Sequence, residues 1–261
     1  MVTRNSSLIV TILTLLGAFA FAFVTNEAIH EVGHYLMHRV YGGDVGIRLD
    51  PFGSSRILGG AASSAPMGPT SLAGPAFSLL VSTTVFAVLW RWRRPLLLPL
   101  LLMLPVAMTQ EGVTFSFGLL TPGGDASFIV TWGLPAPVLL TIGALLLVCG
   151  IALLTLLLPL AGLPRDARFG RRWLVLVVSM VAFMLLRLIV SAILRSGDLM
   201  EGIVPLVFAL LLSLAGAGAF VPMQRWLGDG VNLVRPIAAG TVVVCLGSAV
   251  GMIALQLAIL N

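Results

Sequence analysis

Residues 8–39 read LIVTILTLLGAFAFAFVTNEAIHEVGHYLMHR, and this stretch decides what kind of protein the chain is. Its first half, Leu8 to Val24, carries no charge and continues into further helix-compatible sequence, so it suggests a membrane-crossing helix. Its second half brings in Asn26, Glu27, His30, Glu31 and His34 without a helix-breaking residue as far as Arg39. One helix is therefore predicted from near Leu8 to about His38. A charged start at Arg4 before an apolar centre also fits a cleavable leader. Cleavage after the apolar half would sever the polar half from its helix, so an uncleaved first span is expected.

The rest of the chain has the same solvent preference. Hydrophobic residues make up 59% and charged residues 10%, with mean hydropathy +1.09. A soluble core of this size would need a charged shell that the composition does not supply. Six more spans are predicted: Ser71–Trp90, Pro95–Thr109, Val138–Leu160, Trp173–Leu194, Gly202–Val221 and Ile237–Leu260. The expected fold is an all-α polytopic membrane protein with about seven transmembrane helices. Gly42–Met67, rich in Gly, Ser and Pro with an extended piece at Val45–Leu49, reads as an interfacial hairpin or re-entrant loop. Gln110–Pro137 reads as a second irregular region, holding Glu111 and the turn Pro122-Gly123-Gly124-Asp125. Cys149 and Cys245 lie in apolar segments without metal-ligand spacing.

All 15 basic residues are arginine, and they cluster between the spans, which speaks for membrane topology and against nucleic acid as partner. The face shared by the N-terminus and the loops after spans two, four and six holds Arg4, Arg91, Arg93, Arg94, Arg165, Arg168, Arg171, Arg172, Arg225 and Arg235. The other face holds Arg39, Arg48, Arg56 and Arg195. This asymmetry predicts a cytoplasmic N-terminus in the cell membrane. Trp90, Trp92, Trp173 and Trp226 stand beside arginines as interfacial anchors. Arg187 falls inside span five and needs a partner or a route to the interface.

The chemistry concentrates in His30-Glu31-Val32-Gly33-His34, an H-E-x-x-H motif. Histidines at i and i+4 share one helical face, about 6 Å apart along the axis, so both can reach one zinc ion. Glu31 beside them can take a proton from a metal-activated water and pass it to a leaving amine. His38, about 12 Å from His30 along the helix, is too far to join them and reads as an interfacial histidine. Gly33 suits close approach of backbone or substrate, or helix packing. Glu27, one turn before His30 and Glu31, is either a supporting group or a polar edge of the span.

A catalytic zinc takes three protein ligands as a rule, leaving a fourth position for water. The three histidines all lie in this helix, so the third ligand is expected to be an oxygen donor. The histidines sit at the far end of span one, and the loop after span three lies on that same side. That leaves Asp125 as the favoured ligand, Glu111 as the alternative and Asp50 behind them, whereas Asp229 falls on the opposite face. Asp125 could instead form a turn or cap a helix before Ala126 and Ser127.

On the H-E-x-x-H helix, the loop after it, Gly74-Pro75 opening span two, and Asp125, the chain resembles the site-2 protease family of intramembrane zinc metallopeptidases over roughly Leu8 to Val130. The resemblance implies a three-span catalytic core with zinc held by His30, His34 and Asp125 and Glu31 as general base. The implied substrates are membrane-tethered proteins cut in or near their spans. Residues 1–135 would then form the catalytic core, and 136–261 an added four-span region without a matching motif. Two departures stand out: Ser78 where many members have asparagine, and Ala126 rather than glycine after Asp125.

A transporter or metal-binding membrane protein without hydrolysis is the competing reading, but a pure binding site would not require Glu31 between the histidines. A serine-type intramembrane protease needs a histidine away from this helix. An aspartyl type needs a second intramembrane aspartate to pair with Asp125. The sequence supplies neither.

Overall fold

A computed structural model of the chain describes residues 7–52, 55–59, 66–120, 124–164, 166–195, 199–226 and 237–259. Arg4, Pro122, Gly123, Arg165, Asp229 and Arg235, named above, lie outside the described residues. Helix α1 (Leu8–Val40) is followed by a short antiparallel hairpin of β1 (Gly46–Arg48) and β2 (Arg56–Leu58), in which Ile47 pairs with Ile57. Then come α2 (Met67–Leu89), α3 (Leu98–Leu101), α4 (Met103–Phe117), the short α5 (Asp125–Trp132), α6 (Ala136–Leu157), α7 (Phe169–Arg195), α8 (Leu199–Trp226) and α9 (Ala239–Ile259).

Among the described residues, six helical stretches are long and apolar enough to cross a membrane: those built on α1, α2, α3 with α4, α6, α7 and α9. Within α8, Leu206–Pro222 forms a shorter apolar stretch. The protein is therefore all-α and polytopic, close to the seven spans expected, with the expected hairpin after the first.

Helix α1 stands at the centre and touches α2, α4, α7 and α9. Its Ser7 side chain accepts a hydrogen bond from the Val10 amide, satisfying one of the orphan donors of the first turn. The buried core gathers Phe19 and Val24 of α1, Leu101 of α3, Val106 of α4, Met180 and Phe183 of α7, Phe220 of α8 and Cys245 of α9. Lipid is as apolar as these side chains, so helix association relies on close backbone approach and on interhelical hydrogen bonds. Both are present. Gly17 lets α1 meet the backbone of α9, where an added Cβ would stand 2.6 Å from the Leu246 amide nitrogen. Gln256 of α9 donates to the Val24 carbonyl (2.9 Å), Ser179 of α7 to the Ile12 carbonyl (3.2 Å) and Asn26 of α1 to the Met103 carbonyl (2.6 Å).

One boundary departs from the sequence reading in a way that matters. Span three does not end at Thr109, because α4 continues to Phe117, and most of the supposedly irregular region after it is helical through α5. The polar triplet Gln110-Glu111-Gly112 resembles a loop in sequence. Inside a membrane, however, a helix keeps each backbone group bonded whatever its side chains are. Glu111 is tolerated there because neighbouring helices supply partners for its carboxylate.

Candidate metal centre

Helical spacing brings His30 and His34 to one face of α1, with ring centroids 4.6 Å apart and planes at 76°. Their Nε2 atoms lie 2.9 Å from each other. Asp125 opens α5, and its carboxylate does not cap that helix; Gly124 occupies the N-cap position instead. Asp125 Oδ2 reaches over to stand 3.2 Å from His30 Nε2 and 3.3 Å from His34 Nε2.

The backs of both rings are anchored. His34 Nδ1 lies 2.6 Å from the Thr70 carbonyl oxygen, which can only accept, so Nδ1 carries the proton. His30 Nδ1 lies 2.8 Å from Glu111 Oε1, and the same oxygen accepts the Ser78 hydroxyl at 2.9 Å. With Nδ1 as donor in each neutral ring, each Nε2 presents a lone pair. Two imidazole lone pairs and a carboxylate oxygen thus converge in a triangle with edges of 2.9–3.3 Å. Such a cluster is repulsive unless a cation is shared among its members. Ligands at about 2.0–2.1 Å on a tetrahedral ion stand about 3.3 Å apart, so the triangle has the dimensions of one tetrahedral face. The donor set fits a metal.

Glu31 stands beside the histidine pair, one carboxylate oxygen and the two histidine nitrogens lying within 4.8 Å of one another. His38 is not part of this group. Asp50 is buried in the hairpin segment, where Oδ1 accepts the Phe52 amide at 3.0 Å. Of the oxygen donors considered, Asp125 faces the Nε2 atoms, whereas Glu111 stands behind His30 on Nδ1. Glu27 and Arg187, both unresolved by sequence reasoning, turn out to be partners: the guanidinium of Arg187 on α7 donates to Glu27 at 3.0 Å and lies 4.7 Å from the Phe23 ring.

Helix α2 supplies the floor, and sequence reasoning passed over most of it. Thr70, Gly74, Ser78 and Ser82 recur every fourth residue and are all buried. Their i, i+4 spacing gives one small, polar stripe along the helix. Thr70 anchors His34, Ser78 anchors Glu111, and Ser82 donates to Asn26 Oδ1 at 2.7 Å. Gly74 lies directly against the imidazoles, and Gly33 of α1 faces the Ala73 carbonyl, where a Cβ would stand 2.5 Å away. The stripe was visible as a small-residue periodicity, although nothing local showed what it faced.

No protein-family model, curated protein or solved structure matches the chain.

Proposed function

We propose that the chain is an intramembrane zinc metalloprotease of the site-2 protease kind, hydrolysing peptide bonds of membrane-tethered proteins. The observation carrying this reading is the triangle of His30 Nε2, His34 Nε2 and Asp125 Oδ2, with both Nδ1 atoms engaged behind it. Two imidazoles and one carboxylate are a donor set of catalytic zinc, and anchored Nδ1 atoms fix the tautomer and ring orientation that ligation requires. When bound, zinc would acidify a water molecule and polarise the scissile carbonyl.

Around that chemistry the chain's own residues divide the work. Glu31 takes the water's proton and returns it to the leaving amine, a role requiring a carboxylate within reach of the histidine pair. Glu111 and Ser78 hold the His30 ring, and the Thr70 carbonyl holds that of His34. Gly33 and Gly74 keep α1 and α2 close while leaving room at the Nε2 atoms. The arginine distribution supports a cytoplasmic N-terminus in the cell membrane, which labelling of single cysteines placed in the α2–α3 and α4–α5 connections would check.

The test uses the purified full chain in proteoliposomes with a membrane-tethered test protein. Glu31→Gln should retain one metal ion per chain and lose cleavage, and chelation of the parent chain should abolish cleavage until zinc is returned. Cleavage by Glu31→Gln at the parent rate would refute the assignment. Metal uptake into the vesicles that survives Glu31→Gln would favour the non-hydrolytic transporter instead.

A further inference from the structure

The rings of His30 and His34 are pinned from behind by Glu111 and by the Thr70 carbonyl, but the third donor has no such support. Asp125 Oδ2 faces the two imidazoles, and among the described residues no other group hydrogen-bonds its side chain. The backbone does not fix its position either. Glycine stands at both ends of α5: Gly124 occupies the N-cap, and Gly133 ends the helix at φ 125°, a conformation that other residues rarely adopt. With permissive residues at both ends, the placement of α5, and with it of Asp125, falls to packing.

Two contacts supply that packing. Ala126 and Ile129 are buried with Phe115 of α4 and Leu139 of α6. Towards α2, Trp132 lies so close to Gly68 that a Cβ at this glycine would fall within the Trp132 side chain. Of the five tryptophans, Trp132 alone has no arginine beside it in sequence, so the interfacial anchoring that suits the other four does not account for it. Asp125 and Trp132 are the first and last residues of α5, two turns apart, and so share one of its faces. Along α5 they are separated by about 10.5 Å, and along α2 Gly68 and Gly74 are separated by about 9 Å. Gly74 lies against the same imidazoles that Asp125 faces. Helix α5 therefore runs antiparallel to α2, with Trp132 seated on Gly68 at one end and Asp125 over the rings at the other. The two spacings agree to about one residue's rise, so the seat of the indole sets how far the carboxylate reaches.

We propose that Trp132, seated on Gly68, is the positioning residue that holds Asp125 at the Nε2 atoms, an inference that rests on the zinc reading of the centre. Trp132 is 56% exposed, so its truncation opens no cavity in the core and the fold should survive it. Gly68 is the complementary half of the seat, because any larger residue there pushes the indole, and α5 with it, away from α2.

The test takes the full chain in detergent micelles and reads metal binding rather than cleavage, with zinc for affinity and cobalt(II) for the ligand-field spectrum. Trp132→Ala should lower zinc affinity about 10–100-fold, the range for a group that orients a ligand. It should also move the cobalt absorption towards that of Asp125→Ala. Trp132→Phe keeps an aromatic ring on Gly68 and should restore most of both. Gly68→Ala displaces the indole while leaving Trp132 in the chain; it should act like Trp132→Ala and guards against a misfolded first variant. On top of Asp125→Ala, Trp132→Ala should cost little further affinity, because a residue that acts through another is not additive with it. Parent affinity and spectrum in both Trp132→Ala and Gly68→Ala would overturn the positioning role and leave the metal centre intact. Losses that add in full to that of Asp125→Ala would also overturn it, assigning Trp132 to general packing. A parent chain that binds neither metal would overturn the positioning role and the zinc reading together.

Discussion

Gly74 lies on α2 against the His30 and His34 rings, so exchanging it for alanine probes the proposed metal centre without touching a proposed ligand. The added Cβ would stand 2.8 Å from His30 Nε2 and 2.6 Å from His34 Cε1, against 3.4–4 Å for ordinary contact. The overlap is therefore roughly 0.6–0.8 Å at those two atoms and larger at His34 Nε2, the atom nearest the added Cβ, on the side where the Nε2 lone pairs converge, enough to strain close-packed groups. Neither ring yields cheaply, because Thr70 and Glu111 pin the Nδ1 atoms at 2.6 and 2.8 Å. Removal of a single outer partner from a metal-binding histidine costs about 10–100-fold in affinity. A methyl group that displaces the rings themselves should exceed the upper end, lowering metal affinity by about 100-fold or more. Fold stability should change little by comparison. Alanine gains about 1 kcal/mol of helix propensity over glycine, which offsets part of an overpacking cost of about 1–3 kcal/mol. Metal content after equilibration with buffered zinc, measured beside thermal unfolding of the metal-free chain, separates the two effects. Gly247→Ala, where an added Cβ meets nothing within 4 Å, is the matched control. A Gly74→Ala chain that binds stoichiometric zinc with parent affinity and cleaves at the parent rate would refute the argument that the Nε2 face forms the centre.

Glu111→Gln keeps the shape of the group behind His30 but removes its charge, so metal affinity should fall about 10–100-fold in the same titration while the helix packing survives. Arg187→Met leaves Glu27 without its α7 partner at 3.0 Å and should destabilise the chain by about 3 kcal/mol in denaturant titration; the double variant with Glu27→Gln should recover most of that loss. Gly17→Ala forces a Cβ to within 2.6–2.9 Å of the α9 backbone at Cys245 and Leu246, which has no side-chain freedom to give. It should cost about 1–3 kcal/mol and loosen α9, read as faster proteolysis at that end of the chain.

The sequence by itself determined the solvent, the helical class and the core of the centre. Membrane insertion follows from apolar composition, and the juxtaposition of His30, Glu31 and His34 follows from 3.6 residues per turn; both are local properties of the chain. The third donor was narrowed by the expected membrane side but not fixed, because the segment read as following span three carries both Glu111 and Asp125. Which of them meets Nε2 and which meets Nδ1 depends on how α4 and α5 pack against α1. Only the tertiary structure decides that, and it places Asp125 at the Nε2 atoms and Glu111 behind His30. The same limit hid the continuation of α4 through Gln110 and Glu111, since the groups that make a buried carboxylate tolerable come from α1 and α2. Arg187 announced a need for a partner, but Glu27 lies 160 residues away in sequence and meets it only through the α1–α7 contact.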